Sequence, residues 1–237
     1  MIKSFFEYLK NPVTNENSDL FTFRIYFKLI GMCYLFLIIS SIFLRIITSF
    51  DLLPEYAVPK IESFAQSGSI ILFLFVVIFG PLLEEILFRL NLKITKLNIS
   101  AFLTAVLMLI IQVSFFRKFQ FFIYLSTIPL FIVIYYLIRL YDFPLEKIDN
   151  FVKSKFRYVF HVSAIVFGMI HLTNYATIYW WMIVLIPFLT APYIAMGYVF
   201  GYARMKYGFA NGLLMHSTIN FISVLLTMPK HFFDILQ

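Results

Sequence analysis

A set of ionisable and polar side chains lies within hydrophobic stretches of this sequence, where such groups are costly. The set comprises Glu84, Glu85, Arg89, His171, His216 and Asn220. A charged group at the centre of a bilayer costs about 2.5–3.5 kcal/mol on insertion scales, and such groups persist where they pair or take part in function. Glutamate can take a proton from water, imidazole can orient that water, and imidazole or amide N–H groups can stabilise an oxyanion. These residue types therefore suit hydrolysis.

Helical spacing distinguishes the two glutamates. Glu85 and Arg89 are four residues apart, so they share a helix face and can form an ion pair. Glu84 is turned about 100° away from Glu85. It has no partner on its own helix, so it must face a cavity, meet a polar group of another helix or be protonated. The alternative is that all three side chains extend to the membrane interface, as long side chains near helix ends do.

The histidines also have neighbours at helical spacing. Phe167 lies one turn before His171, and His216 and Asn220 share a helix face. Taken singly, His171 fits a hydrogen-bonded core histidine, and the His216–Asn220 pair fits a hydrogen bond between two membrane helices. Their occurrence together with the glutamates favours one common site. Glu84, His171 and His216 are also a ligand set suited to zinc, although the HExxH signature is absent from the sequence.

The composition predicts the elements that position these residues. The chain has 237 residues, of which 62% are hydrophobic and 13% charged, and its mean hydropathy is +0.89. Soluble domains average roughly 45–50% apolar and about 25% charged residues. We therefore expect an all-α, polytopic transmembrane bundle whose solvent is the lipid bilayer. The net charge is +7, and the basic residues lie between hydrophobic runs. They do not form the basic and aromatic pattern of a nucleic-acid surface, so no nucleic-acid partner is expected.

Seven hydrophobic segments are long enough to be membrane spans, with six to eight as the range, because a span needs about 20 apolar residues. They cover about 27–48, 67–90, 98–116, 119–139, 158–174, 178–203 and 209–228. Pro187 and Pro192 predict that the sixth is kinked or broken into two half-helices. The whole chain, 1–237, is predicted to be one membrane domain, with 1–26 as a cytoplasmic N-terminal segment.

The distribution of lysine and arginine predicts the orientation. Most of the 19 basic residues flank the segments on the side of the N-terminus, which predicts a cytoplasmic N-terminus and an outward C-terminus. The polar site is then expected near the cytoplasmic side, in the inner membrane of a bacterium. Counting from the segment ends places His171 deeper than Glu84 and His216. We attribute this mismatch to the start of the fifth segment, where SKFRYVF is expected to be an extramembrane turn of helix.

Three short motifs resemble those of a known family. EEILFR, at residues 84–89, resembles the EExxxR motif of the CAAX protease and bacteriocin-processing (CPBP, Abi-type) family of intramembrane endopeptidases. FGMIH resembles the FxxxH motif of that family, and HSTIN resembles its HxxxN motif. The motifs occur in order, each within a hydrophobic segment, and the resemblance covers about 70–225.

The resemblance implies an endopeptidase that hydrolyses a peptide or a membrane-anchored protein. By that resemblance, Glu84 activates the water and His171 helps to hold it. His216 and Asn220 would hold the oxyanion. The supporting positions are Glu85, Arg89 and Phe167. The favoured mechanism in the family is metal-free, so no cofactor is expected, with a zinc-dependent reaction as the alternative.

Two features depart from the family pattern. Leu90 follows the motif arginine, where the family usually has glycine. The two segments at about 98–139 separate motifs that usually lie on neighbouring helices, so we expect an inserted hairpin outside the core bundle. A second functional class stays open, a non-catalytic immunity or regulatory protein with the same fold. A transporter is less favoured because the sequence has no detectable inverted repeat.

Overall fold

A computed structural model describes residues 1–14, 20–49, 70–114, 120–141, 143–174 and 179–227. The chain is mainly helical within these ranges, and they contain no β-strand. The expected all-α class is therefore confirmed. Eight of the helices are α1 Ile2–Lys10, α2 Phe23–Thr48, α4 Lys96–Ser114, α5 Gln120–Leu140, α6 Leu145–Ser154, α7 Phe156–Ile170, α8 Ile186–Tyr207 and α9 Phe209–Thr227.

The remaining helix, α3, consists of three joined segments. They are Ile70–Leu74, the π-helical turn Phe75–Phe79, and Gly80–Phe88. Short 3-10 turns follow α3 at Leu90–Leu92, extend α7 at His171–Asn174 and precede α8 at Trp180–Val184. The break expected near Pro187 lies at Leu185, where the last of these turns gives way to α8. Pro187 occupies the first turn of α8, where a proline removes no intrahelical hydrogen bond.

Three helices of the described chain are long and apolar enough to cross a membrane: Phe23–Ile47, Phe156–Asn174 and Phe209–Leu226. A fourth candidate joins Ser126–Leu140 to Leu145–Ser154 across a bend of 96°. These helices are those of an integral membrane protein, but the expected count of about seven spans is not confirmed. One reason is that a π-helical turn divides α3 into short segments. Another is that parts of the predicted segments, such as 67–69 and 115–119, lie outside the described residues.

Helix α8 forms the centre of the bundle. It packs against α2, α7 and α9, and its buried residues include Phe200, Tyr202 and Met205. The chain reverses from α8 into α9 at Gly208, whose φ of 94° lies in the left-handed region that glycine adopts without steric cost. This tight reversal places α9 directly beside α8.

The N-terminal helix α1 packs onto one end of α8. Phe5 and Tyr8 are buried there, and both rings meet the Tyr202 ring edge-on at centroid distances of 5.3 Å. The Tyr8 hydroxyl donates a hydrogen bond to the Val13 carbonyl at 2.8 Å, and burial raises the pKa of this phenol. The segment predicted as a cytoplasmic extension is thus a packed part of the fold.

The predicted hairpin of α4 and α5 lies beside the main core. The two helices pack against each other, and α4 also contacts α3. Ile99, Ile134 and Ile138 form a small cluster between them, separate from the large cluster around α8. The hairpin therefore lies next to α3, and its interpretation as an insertion stays a prediction.

Gly168→Ala is expected to lower the free energy of unfolding by about 1–3 kcal/mol, because overpacking costs that much. A Cβ on Gly168 would lie 2.2 Å from Cγ1 of Ile194 and 2.7 Å from its backbone nitrogen. Side-chain rotation cannot relieve the backbone contact. The matched control is Gly31→Ala, since a Cβ there meets no atom within 4 Å. That change should be neutral or stabilise by up to about 1 kcal/mol. Unfolding of the two purified variants in detergent checks this, and equal stabilities would contradict the close contact of α7 with α8.

Candidate active site

The site begins with an irregular turn in α3. In the π-helical turn Phe75–Phe79, the Gly80 N–H donates to the Phe75 carbonyl, five residues back. The next N–H in that register would come from Pro81, which has none. The Val76 carbonyl instead accepts a hydrogen bond from the Asn220 side-chain amide at 3.0 Å. Asn220 thereby fixes α9 to α3 just before the two glutamates, at a kind of turn that is frequent at functional sites.

Glu85 and Arg89 form a buried ion pair. Their side chains are 0% and 1% exposed, and Nη1 of Arg89 lies 3.8 Å from Oε1 of Glu85. Nη2 of Arg89 donates to the Gly197 carbonyl at 3.4 Å, and the guanidinium carbon lies 3.8 Å from the centre of the Phe167 ring. The carboxylate, the carbonyl and the aromatic face together stabilise a cation that would otherwise be costly to bury. This geometry matches the ion pair predicted from helical spacing.

His216 connects the two glutamates. Its Nδ1 lies 3.0 Å from Oε1 of Glu85, and its Nε2 lies 3.6 Å from Oε2 of Glu84. The ring stacks on Phe200 at a centroid distance of 4.5 Å. Because a carboxylate only accepts hydrogen bonds, the Glu85 contact assigns a proton to Nδ1. His216 therefore turns its other nitrogen towards Glu84.

Glu84 is the accessible carboxylate of the site. Its side chain is 32% exposed, whereas that of Glu85 is completely buried. Its Oε2 is nevertheless buried and, like Oε2 of Glu85, has no hydrogen-bond partner among the described residues. Within its own helix it also lacks the i+4 cation that Glu85 has, as the spacing predicts. Glu84 is thus a carboxylate that can meet both water and an imidazole.

His171 lies at the end of α7, and its ring is fixed on three sides. Its Nδ1 donates to the Phe167 carbonyl at 2.8 Å, which leaves Nε2 with a free lone pair in the neutral ring. The ring stacks on Tyr193 at a centroid distance of 4.1 Å and meets the Phe167 ring edge-on at 4.9 Å. His171 lies within electrostatic range of Glu84, His216 and Arg89.

The structure accounts for part of the expected mismatch in depth. Ser163 of α7 donates a hydrogen bond to the carbonyl of Phe88, the last residue of α3. The first turns of α7 therefore extend beyond the end of α3. From this contact Glu84 lies four residues back along α3 and His171 eight residues on along α7, which leaves a difference of about one turn, roughly 6 Å.

Three residues of α8 contribute to the site although the motifs did not indicate them. They are Tyr193, Gly197 and Phe200, which contact His171, Arg89 and His216 respectively. Their spacing of four and three residues puts them on one helix face. Gly197 permits a close approach, since a Cβ there would lie 2.9 Å from the Ala164 carbonyl. The sequence signal for these residues was their helical spacing. It was missed because Pro187 and Pro192 predicted a broken helix in the same segment.

The proposed zinc ligands do not form a metal-binding cluster. Across the described residues, no group of three or more His, Cys, Asp or Glu side chains is placed to hold a metal ion. Nδ1 of His216 binds Glu85, and Nδ1 of His171 binds a backbone carbonyl. Metal-binding histidines commonly bind such partners with the nitrogen that does not hold the metal, so the zinc-dependent reaction stays a prediction.

Comparison of the chain with models of protein families finds no match, and comparisons with curated proteins and with solved structures find none either. The functional argument therefore depends on the motifs and on the geometry of the side chains.

Proposed function

We propose that this protein is an intramembrane endopeptidase of the CPBP type, which hydrolyses a peptide bond with water activated by Glu84 and His171. The observation that supports this most is the Glu84 side chain, which is 32% exposed and whose Oε2 lies 3.6 Å from Nε2 of His216 on another helix. A second imidazole, that of His171, lies within electrostatic range. Glu85, in contrast, is completely buried between Arg89 and His216.

In the proposed reaction, Glu84 takes a proton from water as the water oxygen bonds to the peptide carbonyl carbon. The free Nε2 of His171 accepts a hydrogen bond from the same water and orients it. The carbonyl oxygen becomes an oxyanion. When the carbon–nitrogen bond breaks, the proton held by Glu84 passes to the departing amine. Each step uses only groups of this chain and one water molecule.

His216 and Asn220 are proposed to stabilise the oxyanion. When it is protonated at both nitrogens, His216 can donate from Nε2 while Nδ1 stays bound to Glu85. The Asn220 amide has two N–H groups, and its bond to Val76 uses one of them. Glu85, Arg89 and Phe167 would act as positioning residues, since they hold His216 and the start of the site in place.

The proposed setting is the inner membrane of a bacterium, with the N-terminus in the cytoplasm and the site near that face. The proposed substrate is a peptide or a membrane-anchored protein. A non-catalytic immunity or regulatory protein is the alternative, and it predicts no change in peptide processing when Glu84 or His171 is replaced.

The test compares protein N-termini in native membranes from cells with the wild-type chain, Glu84→Ala or His171→Ala. We expect the same cleavage products to disappear in both variants. The matched control is His161→Ala, a histidine on the same helix that contacts Tyr198 at 3.1 Å. It should leave the products unchanged. If both site variants process every peptide as the wild type does, the endopeptidase proposal fails. Zinc content of the purified chain, measured with activity after chelation, tests the zinc-dependent form of the reaction.

A further inference from the structure

A groove with a volume of about 760 Å³ opens on the side of the molecule where α3 ends and α7 begins. Its size is within the roughly 300–1,000 Å³ range of ligand pockets. The walls come from α3, α4, α6 and α7, and they are mainly apolar. The apolar lining includes Leu87, Phe88, Phe102, Phe151, Val162 and Val166.

Only a few polar groups line the groove. Ser163 is already engaged, because its hydroxyl donates to the Phe88 carbonyl. Asn91 donates its amide to the Leu87 carbonyl at 3.3 Å, while its Oδ1 is buried without a hydrogen-bond partner in the described chain. Lys155 lies directly before α7, and no carboxylate among the described residues forms an ion pair with it. Tyr158 also lines the groove. The groove thus offers an apolar channel with one cation, Lys155, at the start of α7.

We propose that this groove binds one anionic phospholipid, with an acyl chain along α7 and the phosphate at Lys155. A peptide would bring a polar N–H and C=O at each residue, and the apolar walls have no partners for them. An acyl chain needs none. The groove residues of α7 span positions 155 to 166, which is roughly 16 Å of helix at 1.5 Å per residue. Basic pockets between membrane helices are a known setting for anionic headgroups.

The charge of Lys155 indicates which lipid headgroup the groove would bind. Phosphatidylglycerol carries one negative charge on its phosphate, which can pair with Lys155, whereas phosphatidylcholine is neutral overall. The inserted helix α4, which provides Phe102, builds one wall, so the hairpin would take part in lipid binding as well as in packing.

The test uses the purified full-length chain reconstituted in phosphatidylcholine nanodiscs with a minor share of phosphatidylglycerol. Native mass spectrometry then counts retained lipids, and no protease assay is involved. We expect the wild type to retain one phosphatidylglycerol. Lys155→Gln should weaken its retention about fivefold, because one basic residue near an anionic headgroup is worth about 1 kcal/mol. Val162→Trp should abolish it by filling the groove.

The structure provides a matched control for each variant. Lys153→Gln changes a nearby lysine that already pairs with Asp149 at 2.5 Å. Ile165→Trp enlarges an exposed residue of α7 that does not line the groove. Both should retain the lipid as the wild type does, and Val166→Phe replaces Val162→Trp if that variant does not fold. Equal loss in variants and controls, retention of phosphatidylcholine in equal amount, or a bound polypeptide in place of lipid would each overturn the proposal.

Discussion

Glu84→Gln is expected to reduce peptide hydrolysis about a thousandfold and to leave the yield of folded protein unchanged. General base catalysis contributes about 10²–10⁴ to rate, and glutamine cannot take the proton from water. The substitution keeps the size and the hydrogen-bonding capacity of the side chain. Because Glu84 is partly exposed and its contact with His216 is long, at 3.6 Å, neutralising it should remove little stability. Single-turnover cleavage of an identified substrate by the purified chain measures the effect.

Glu85→Gln is the adjacent control for this prediction. Glu85 is completely buried between Arg89 and His216, so its replacement should mainly reduce folded yield. The two substitutions should therefore differ in effect: Glu84→Gln should lower the rate of hydrolysis, and Glu85→Gln should lower the yield of folded protein. If Glu84→Gln hydrolyses the substrate within threefold of the wild-type rate, Glu84 is not the base. If Glu85→Gln folds in full yield and is inactive, the positioning role of Glu85 is wrong.

Arg89→Met is expected to lower the free energy of unfolding by about 3–5 kcal/mol, since removal of one partner leaves a buried charge without compensation. The guanidinium lies between Oε1 of Glu85, the Gly197 carbonyl and the Phe167 ring. Methionine fills much of the same volume but supplies neither charge nor N–H groups. Denaturant unfolding of the purified chain in detergent is the measurement.

A double variant separates the lost charge from the lost packing. Arg89→Met combined with Glu85→Gln removes both charges, so it should recover part of the stability lost in Arg89→Met alone. The exposed pair Lys3–Glu7, with side chains 89% and 62% exposed, gives the matched control. Lys3→Met should have little effect, because exposed ion pairs contribute between about 0 and 1 kcal/mol. If Arg89→Met and Lys3→Met lower the free energy of unfolding equally, burial does not determine how much the Glu85–Arg89 ion pair contributes to stability.

The sequence alone predicted those parts of the site that depend on helical periodicity. The separation of Glu84 from Glu85 follows from a rotation of about 100° per residue, and the same rule pairs Glu85 with Arg89. The seven hydrophobic segments also correspond to helices within the described ranges, since long apolar runs leave a membrane chain few other options. The number of membrane spans was less predictable, because burial by other helices and burial by lipid require similar residues.

Contacts between helices could not be predicted in the same way. His216 and Asn220 were expected to share a helix face, but their partners on other helices were not predicted. Nδ1 of His216 binds Glu85 of another helix. Asn220 in turn binds Val76. Both partners are distant in sequence, and no rule of spacing relates them. The contribution of Tyr193 and Phe200 depends on the rotation of α8 in the bundle, which is set by packing on several neighbours at once.

The hydrogen bond from Asn220 to Val76 affects how related sequences should be interpreted. Pro81 creates a need for a side-chain donor at this point in α3, whether or not the protein cleaves peptides. A descendant that had lost catalysis but retained Pro81 would still be under selection to keep an asparagine at position 220. An intact HxxxN motif is therefore weak evidence of an active enzyme. The identity of residue 84 is the better marker of retained activity, because that residue is not needed for this hydrogen bond. The structural constraint would be seen separately, as substitutions that occur together at positions 81 and 220.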